Sequence, residues 1–404
     1  MTSATALRSD PLALPPVPPP APDTLTWRDR IVVSLFALAL VLPLLGVLQK
    51  RNLELTAFEN RRTVAWPAAP TTQASMRSWP PAFEAAFADR FGGRDSLIGL
   101  HHFAKTALFS VSPVPKIMIG RDGWLFFLGE DGNSLDRDYR GVLPYPADEP
   151  AKVAAEFKRR HDYLAARGIP YVVMVVPDKH TIYPEYLPSW VTRVAGETRL
   201  DRLYSALRAY PEINVLDLRP TLLEAKTRER LYFKTDSHWN YLGATIGYQV
   251  LIGAVKALVP SVPAMPADRP PYLPGVDFYS GDLTRMLGLP AWLEEDDIAP
   301  FSKVLGDSSG RCAKESDAPF PVGSPQPAAQ THVYVCDHPQ LPTALVYHDS
   351  MGDIFMPMLS ENFRRVVYVI DRHLDQSLVE REKPDVVIEE LVERSLHAPA
   401  ALPM

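Results

Sequence analysis

The chain has 404 residues, 46% of them hydrophobic and 22% charged, which is enough apolar content for one large domain or two and too much for a disordered chain. Its formal net charge is -6 and it holds no lysine-rich or arginine-rich block, so it offers no basic field to a nucleic-acid backbone and nucleic acid is not an expected partner. Cys312 and Cys336, the two cysteines, stand in a Pro/Ser/Gly-rich stretch outside any helix or strand pattern; they read either as a disulfide in an oxidising compartment or as two unpaired thiols.

Residues 1–29 carry the run Pro15-Pro16-Val17-Pro18-Pro19-Pro20 without apolar periodicity and are expected to be a disordered tail. From Ile31 to Leu48 eighteen residues carry no charge. As a helix at about 1.5 Å per residue this run spans roughly 27 Å, close to the ~30 Å hydrocarbon core of a bilayer. A transmembrane signal-anchor over 30–49 is therefore expected, uncleaved because Val47-Leu48-Gln49-Lys50 lacks a small-x-small site. A buried core helix is the competing reading. Arg28 and Arg30 precede the run and Lys50 and Arg51 come after it, so flanking charge barely orients it. The size of the domain beyond the anchor decides instead, and residues 50–404 are expected outside the cytoplasm.

Beyond the anchor, an amphipathic stretch from Ala82 to Ser110 is predicted to form two helices split at Gly92-Gly93. Gly120-Arg121-Asp122-Gly123 between Lys116–Ile119 and Trp124–Leu128 signals a hairpin. From Ala151 the pattern becomes regular, with a helix to Gly168, a continuous apolar strand at Pro170–Val176, a helix around Leu200, Leu203 and Leu207, a strand at Ile213–Leu218 and a helix at Tyr241–Leu258. Residues 260–342 show weak periodicity and read as an excursion with some local structure. Strand 343–347, helix 353–363, strand 365–370, helix 374–382 and strand 385–389 then alternate, which argues for an α/β fold with a parallel sheet and helices on both faces.

Two short segments carry chemistry. In Leu231–Asn240 (LYFKTDSHWN), Asp236 and His238 are two residues apart, which in extended chain puts both side chains on one side. An Asp that accepts from one ring nitrogen leaves the other free to take a proton from a nucleophile. The best serine for that nucleophile is Ser350, where the apolar run 343–347 stops at His348-Asp349-Ser350 and a helical pattern begins. Half of a metal site and ordinary hydrogen-bonded polar residues are the other readings of Asp236-Ser237-His238. A metal would need further ligands, and His332, Cys336 and His338 lack the spacing of a known set, so neither metal nor cofactor is expected. Lys179, Tyr183 and Trp239, at the expected carboxyl edge of the sheet, are the candidates for a groove that binds the acceptor substrate.

The set Phe58-Glu59-Asn60-Arg61, Ile119-Gly120-Arg121-Asp122-Gly123-Trp124-Leu125-Phe126, Val176-Pro177-Asp178-Lys179, Tyr183-Pro184-Glu185, Thr235-Asp236-Ser237-His238-Trp239-Asn240 and Asp349-Ser350 resembles the periplasmic acetyltransferases of alginate and related exopolysaccharides. The resemblance runs from about residue 55 to 394. It implies a circularly permuted SGNH-hydrolase-like three-layer sandwich, with Ser350 as nucleophile, His238 as base and Asp236 as its orienter. Two departures from the pattern stand beside the serine: His348 where SGNH hydrolases have glycine, and Met351 where Phe or Tyr is frequent. The resemblance further implies a single-pass inner-membrane protein whose catalytic domain lies in the periplasm. Its substrate would be an exported polysaccharide, and its acetyl donor a multispanning membrane acyl-transfer protein. A carbohydrate acetylesterase using the same three residues, and a non-catalytic glycan-binding or assembly protein that keeps the fold, are the alternatives.

Overall fold

The computed structural model describes residues 26–47, 64–90, 94–129, 134–142, 146–194, 196–264, 278–279, 281–289, 295–296, 312–319 and 330–397. Residues 1–25 of the expected 1–29 tail and the Phe58–Arg61 motif lie outside the described residues, while Trp27–Asp29 at the end of that tail already belong to a helix. The chain divides into two compact units with the main break near Ser96.

In the first unit, Trp27–Val47 is a helix of 21 residues. Its side chains Val32, Leu35, Phe36 and Leu40 are all more than half exposed, an apolar surface that water does not reward. Gln73–Arg90 is the second helix of this unit, and Arg94–Phe109 begins where it closes, as the Gly92-Gly93 break predicts.

The second unit opens with a hairpin, β1 (Ile117–Ile119) against β2 (Leu125–Phe127). Its turn places Asp122 at φ 52° and Gly123 at φ 79°, the left-handed region that Asp and Gly tolerate best. The main sheet is built from β3 (Tyr171–Val176), β4 (Asn214–Asp217), β7 (Cys312–Pro319), β8 (Gln330–Cys336), β9 (Thr343–His348), β10 (Arg365–Ile370) and β11 (Val386–Val392), while β5 (Phe278–Tyr279) and β6 (Glu295–Asp296) pair separately. The order is β4-β3-β11-β9-β10-β8-β7. The first five strands of that order are parallel.

The edge corrects the sequence reading. β8 runs antiparallel to β10 and β7 antiparallel to β8, so the sheet is mixed, and these two strands come from the excursion that showed no periodicity. The cysteines also lie in strands after all. Cys312 and Cys336 are directly opposite in the β7–β8 register and are joined by a disulfide across a sequence separation of 24. Closing a loop of that length stabilises the fold by roughly 3 kcal/mol in the chain-entropy picture.

Alternation along the strands explains the three layers. In β3, Val172, Met174 and Val176 face one cluster with Leu222, Tyr248, Leu251 and Val255 from helices Arg219–Ala225 and Tyr241–Leu258. Tyr171, Val173 and Val175 face the other, with Val153, Phe157, Leu203 and Leu378 from helices Glu149–Ala165, Arg199–Leu207 and Gln376–Glu382. Each of these apolar side chains contributes about 1.5–3 kcal/mol by leaving water. Helix Tyr241–Leu258, although long and apolar enough to cross a membrane, is thus the packed inner helix of the domain.

Candidate active site

The segment carrying Asp236 and His238 is a tight loop, not an open strand. Asn240 N–H donates to Leu231 O at 2.8 Å, Tyr232 and Trp239 form an antiparallel bridge, and the Asn240 side chain then caps the next helix by accepting from Gly243 N–H at 3.0 Å. Lys179, at the carboxyl end of β3, pins this loop from below: its ammonium donates to the carbonyls of Phe233 (3.1 Å), Lys234 (3.0 Å) and Asp236 (2.6 Å).

Asp236 is 2% exposed and accepts from His238 Nδ1 at 2.6 Å and His238 N–H at 2.9 Å on Oδ1, and from Asp282 N–H at 2.8 Å on Oδ2. Burial alone pushes its pKa up, but the hydrogen bond and charge of His238 and the two backbone donors outweigh this and hold the carboxyl well below the usual range. At His238 burial favours the neutral ring, yet the bond to Asp236 and its charge win, and the pKa is raised above the ordinary histidine value. With Nδ1–H committed to a carboxylate, Nε2 presents its lone pair to Ser350 Oγ at 2.7 Å.

Ser350 lies just past β9, in a turn that Asp349 organises. Asp349 Oδ1 accepts from Met351 N–H at 3.0 Å, and its Oδ2 accepts from Val392 N–H at 2.8 Å, tying the turn to the carboxyl end of β11. Trp239 Nε1–H donates to Met351 O at 2.9 Å, linking this turn to the histidine loop. The outcome is an exposed serine on an immobilised backbone, its own N–H without a hydrogen bond among the described residues. His348, in the place of the usual glycine, is 2% exposed, and burial lowers its pKa. Its Nδ1–H donates to the Asp349 carbonyl at 2.8 Å, so it supports the turn.

The structure therefore brings Asp236, His238 and Ser350 together and does not bring the three expected substrate-groove residues to a surface. Lys179, Tyr183 and Trp239 are 3%, 4% and 0% exposed. The Tyr183 hydroxyl accepts from Leu231 N–H at 2.8 Å, and burial pushes its pKa up to about 12. All three spend their polar atoms on holding the Leu231–Asn240 loop and the serine turn beside it, which corrects the expectation that they line an acceptor groove. Asp282 is the residue that sequence reasoning missed; it lies in the weakly periodic excursion, where only its Gly281-Asp282 turn pair sets it apart.

Among the described residues, two groups bring carboxylate and imidazole donor atoms within 4.8 Å of one another, Asp178 with His180 and Glu393, and Asp236 with His238 and Asp282. In the first, Asp178 is already paired with the Arg394 guanidinium, a cation where a metal would need to sit. In the second, the Asp236 oxygens accept from N–H groups and the Asp282 oxygens from the N–H and Oγ–H of Ser237, an arrangement that handles a proton.

Residues 117–314 match the family described as SGNH hydrolase-like domain, acetyltransferase AlgX. Among curated proteins, a probable alginate O-acetylase AlgJ of Pseudomonas syringae pv. tomato is 26% identical over 256 residues, 61% of each chain. Its counterpart in Pseudomonas putida is 30% identical over 181 residues, 43% of each chain. Over residues 117–314 the chain is similar to this acetyltransferase family. The matched segment spans less than two thirds of these relatives' length. Among solved structures, the O-acetyltransferase domain of Pseudomonas putida AlgJ is 22% identical, with 69% of this chain and 91% of that one covered at a TM-score of 0.43. Bacillus cereus PatB1 is 14% identical, with 70% and 97% covered at a TM-score of 0.47. The family match over residues 117–314 and the layered sheet together give the SGNH-hydrolase-like α/β fold.

Proposed function

We propose that the protein is a polysaccharide O-acetyltransferase that carries an acetyl group on Ser350 and passes it to a hydroxyl of an exported polysaccharide. The observation that carries this reading is the exposed Ser350 Oγ at 2.7 Å from the one imidazole nitrogen that Asp236 leaves basic. As Ser350 Oγ attacks the acetyl carbonyl, His238 Nε2 takes its proton, and the Asp236 carboxylate stabilises the imidazolium. The Ser350 N–H supports the negative oxygen of the tetrahedral intermediate. Collapse expels the donor's leaving group, to which His238 returns the proton. In the second half the sugar hydroxyl gives its proton to His238 and attacks the acetyl-serine, and the proton goes back to Ser350 Oγ.

The exposed apolar helix Trp27–Val47 is read as a single inner-membrane anchor that holds the domain on the periplasmic side, within reach of a multispanning membrane protein delivering acetyl groups. The disulfide agrees with an oxidising compartment.

An acetylesterase uses the same first half-reaction, so the acceptor separates the readings. Because water is always present, a transferase must favour a bound sugar hydroxyl by positioning, for which effective molarities of about 10⁵ M are available. A model acetyl ester alone is expected to turn over slowly, with oligosaccharide diverting the acetyl group onto sugar, as read by product analysis with and without glycans of several compositions. Free acetate as the sole product with every glycan, together with deacetylation of acetylated glycans, makes the protein an esterase.

A further inference from the structure

Asp282 reaches the catalytic imidazole from a segment outside the Leu231–Asn240 loop. Gly281 makes the approach possible, since a Cβ there would lie 2.2 Å from Thr235 O, and with glycine the backbone of 281–284 rests directly on Thr235-Asp236. From that position Asp282 N–H donates to Asp236 Oδ2 at 2.8 Å. Its carboxylate wraps the other side of the loop, Oδ1 accepting from Ser237 N–H at 2.7 Å and Oδ2 from Ser237 Oγ–H at 2.6 Å. Oδ2 then stands 3.7 Å from His238 Nδ1, and Ser237 Oγ is 3.4 Å from the same nitrogen. The Nδ1–H edge of the imidazole thus faces two carboxylates, Asp236 in contact and Asp282 just beyond it.

We propose that Asp282 is a positioning residue of the acyl-transfer site, its backbone N–H fixing the orienting carboxylate and its side-chain charge setting the basicity of His238. The proposal rests on the acyl-transfer reading above. A second negative charge beside Nδ1 favours the imidazolium formed in each proton transfer and so makes Nε2 the stronger base. The other charged groups acting on the site are Arg394, after β11, which opposes this by lowering the His238 pKa, and Asp353, in the turn after Ser350, whose carboxyl senses the His238 charge. Burial first, and then the Asp236 charge, raises the pKa of Asp282 itself.

The test is the pH profile of acetyl-ester turnover by the full chain. Turnover needs neutral imidazole, so it rises with pH through the His238 pKa. In Asp282→Asn this rise is expected about 1 pH unit lower than in wild type, with plateau turnover reduced about threefold, because a weaker base transfers the proton less well. Asp282→Glu, which keeps the charge, should return the rise toward its wild-type position. A residue that only braces the loop would lower turnover at all pH values and leave the rise in place, which would overturn the proposal. If the Asn variant does not fold, the wild-type ¹⁵N titration of His238 decides: a second inflection on the acid side, as Asp282 takes up its proton, reports the coupling, and its absence there rules the role out. Failure of wild-type Ser350 to take up acetyl sinks the acyl-transfer reading itself; acylation with an unmoved rise sinks only the role of Asp282.

Discussion

Replacing Asp236 with Asn is expected to lower acetyl-ester turnover by about 10⁴-fold with the fold retained. The carboxylate here is acceptor-only: Oδ1 takes two N–H groups of His238 and Oδ2 takes that of Asp282. An amide cannot reproduce this. With its oxygen toward His238, its NH₂ meets the Asp282 N–H, donor against donor. Turned round, its NH₂ meets Nδ1, which must then lose its hydrogen, and the proton moves to Nε2, where it blocks proton uptake from Ser350. The same carboxylate links stability to pH. Its folded pKa is depressed, so the stability it contributes is present above the ordinary Asp value of about 3.9 and is lost as pH falls toward the lower folded value. The Asn variant should therefore be less stable than wild type at neutral pH and should lose less stability on acidification, measurable by denaturant midpoints across pH.

Lys179→Met is expected to destabilise the protein by about 3 kcal/mol or more, since it leaves three carbonyls of the histidine loop without the ammonium that they share. For a domain of this size that corresponds to a Tm lower by on the order of 5–10 °C. Activity should fall with it, because the Asp236 carbonyl is one of the three and its release loosens the residue that orients His238. A Tm unchanged in Lys179→Met, with only KM for the glycan raised, would instead restore this lysine to the acceptor groove.

What was legible in the sequence was what is local. Asp236 and His238 meet because they are two residues apart, and the sharp end of the apolar run 343–347 marks Ser350; the strand-helix alternation that carries them needs only short windows. That Ser350 meets His238 across 112 residues is a property of the sheet order. The strand read as ending at 389 continues to Val392, taking in the buried Glu390, whose Oε2 accepts from Asp349 N–H at 3.2 Å, while Glu389 before it pairs with Arg160 at 2.5 Å and accepts from the Tyr171 hydroxyl. No window around Glu389 contains that arginine. Strand β7 (CAKESDAP) has no apolar alternation and is held by its partner strand and the disulfide. Lys179, Tyr183 and Trp239 misled for one reason: a polar tip shows that a side chain makes hydrogen bonds, and not whether its partner is a substrate or the protein's own backbone. Asp282 left almost no trace, since its role depends on Gly281 pressing against Thr235, a contact between segments 46 residues apart.

The most direct measurement is mass spectrometry of the protein after brief exposure to an activated acetyl ester. One acetyl group is expected on the peptide containing Ser350, retained longer when no glycan is present, discharged when a suitable oligosaccharide is added, and absent in Ser350→Ala. Acetylation confined to another residue, or full turnover by Ser350→Ala, would contradict the acetyl-serine mechanism.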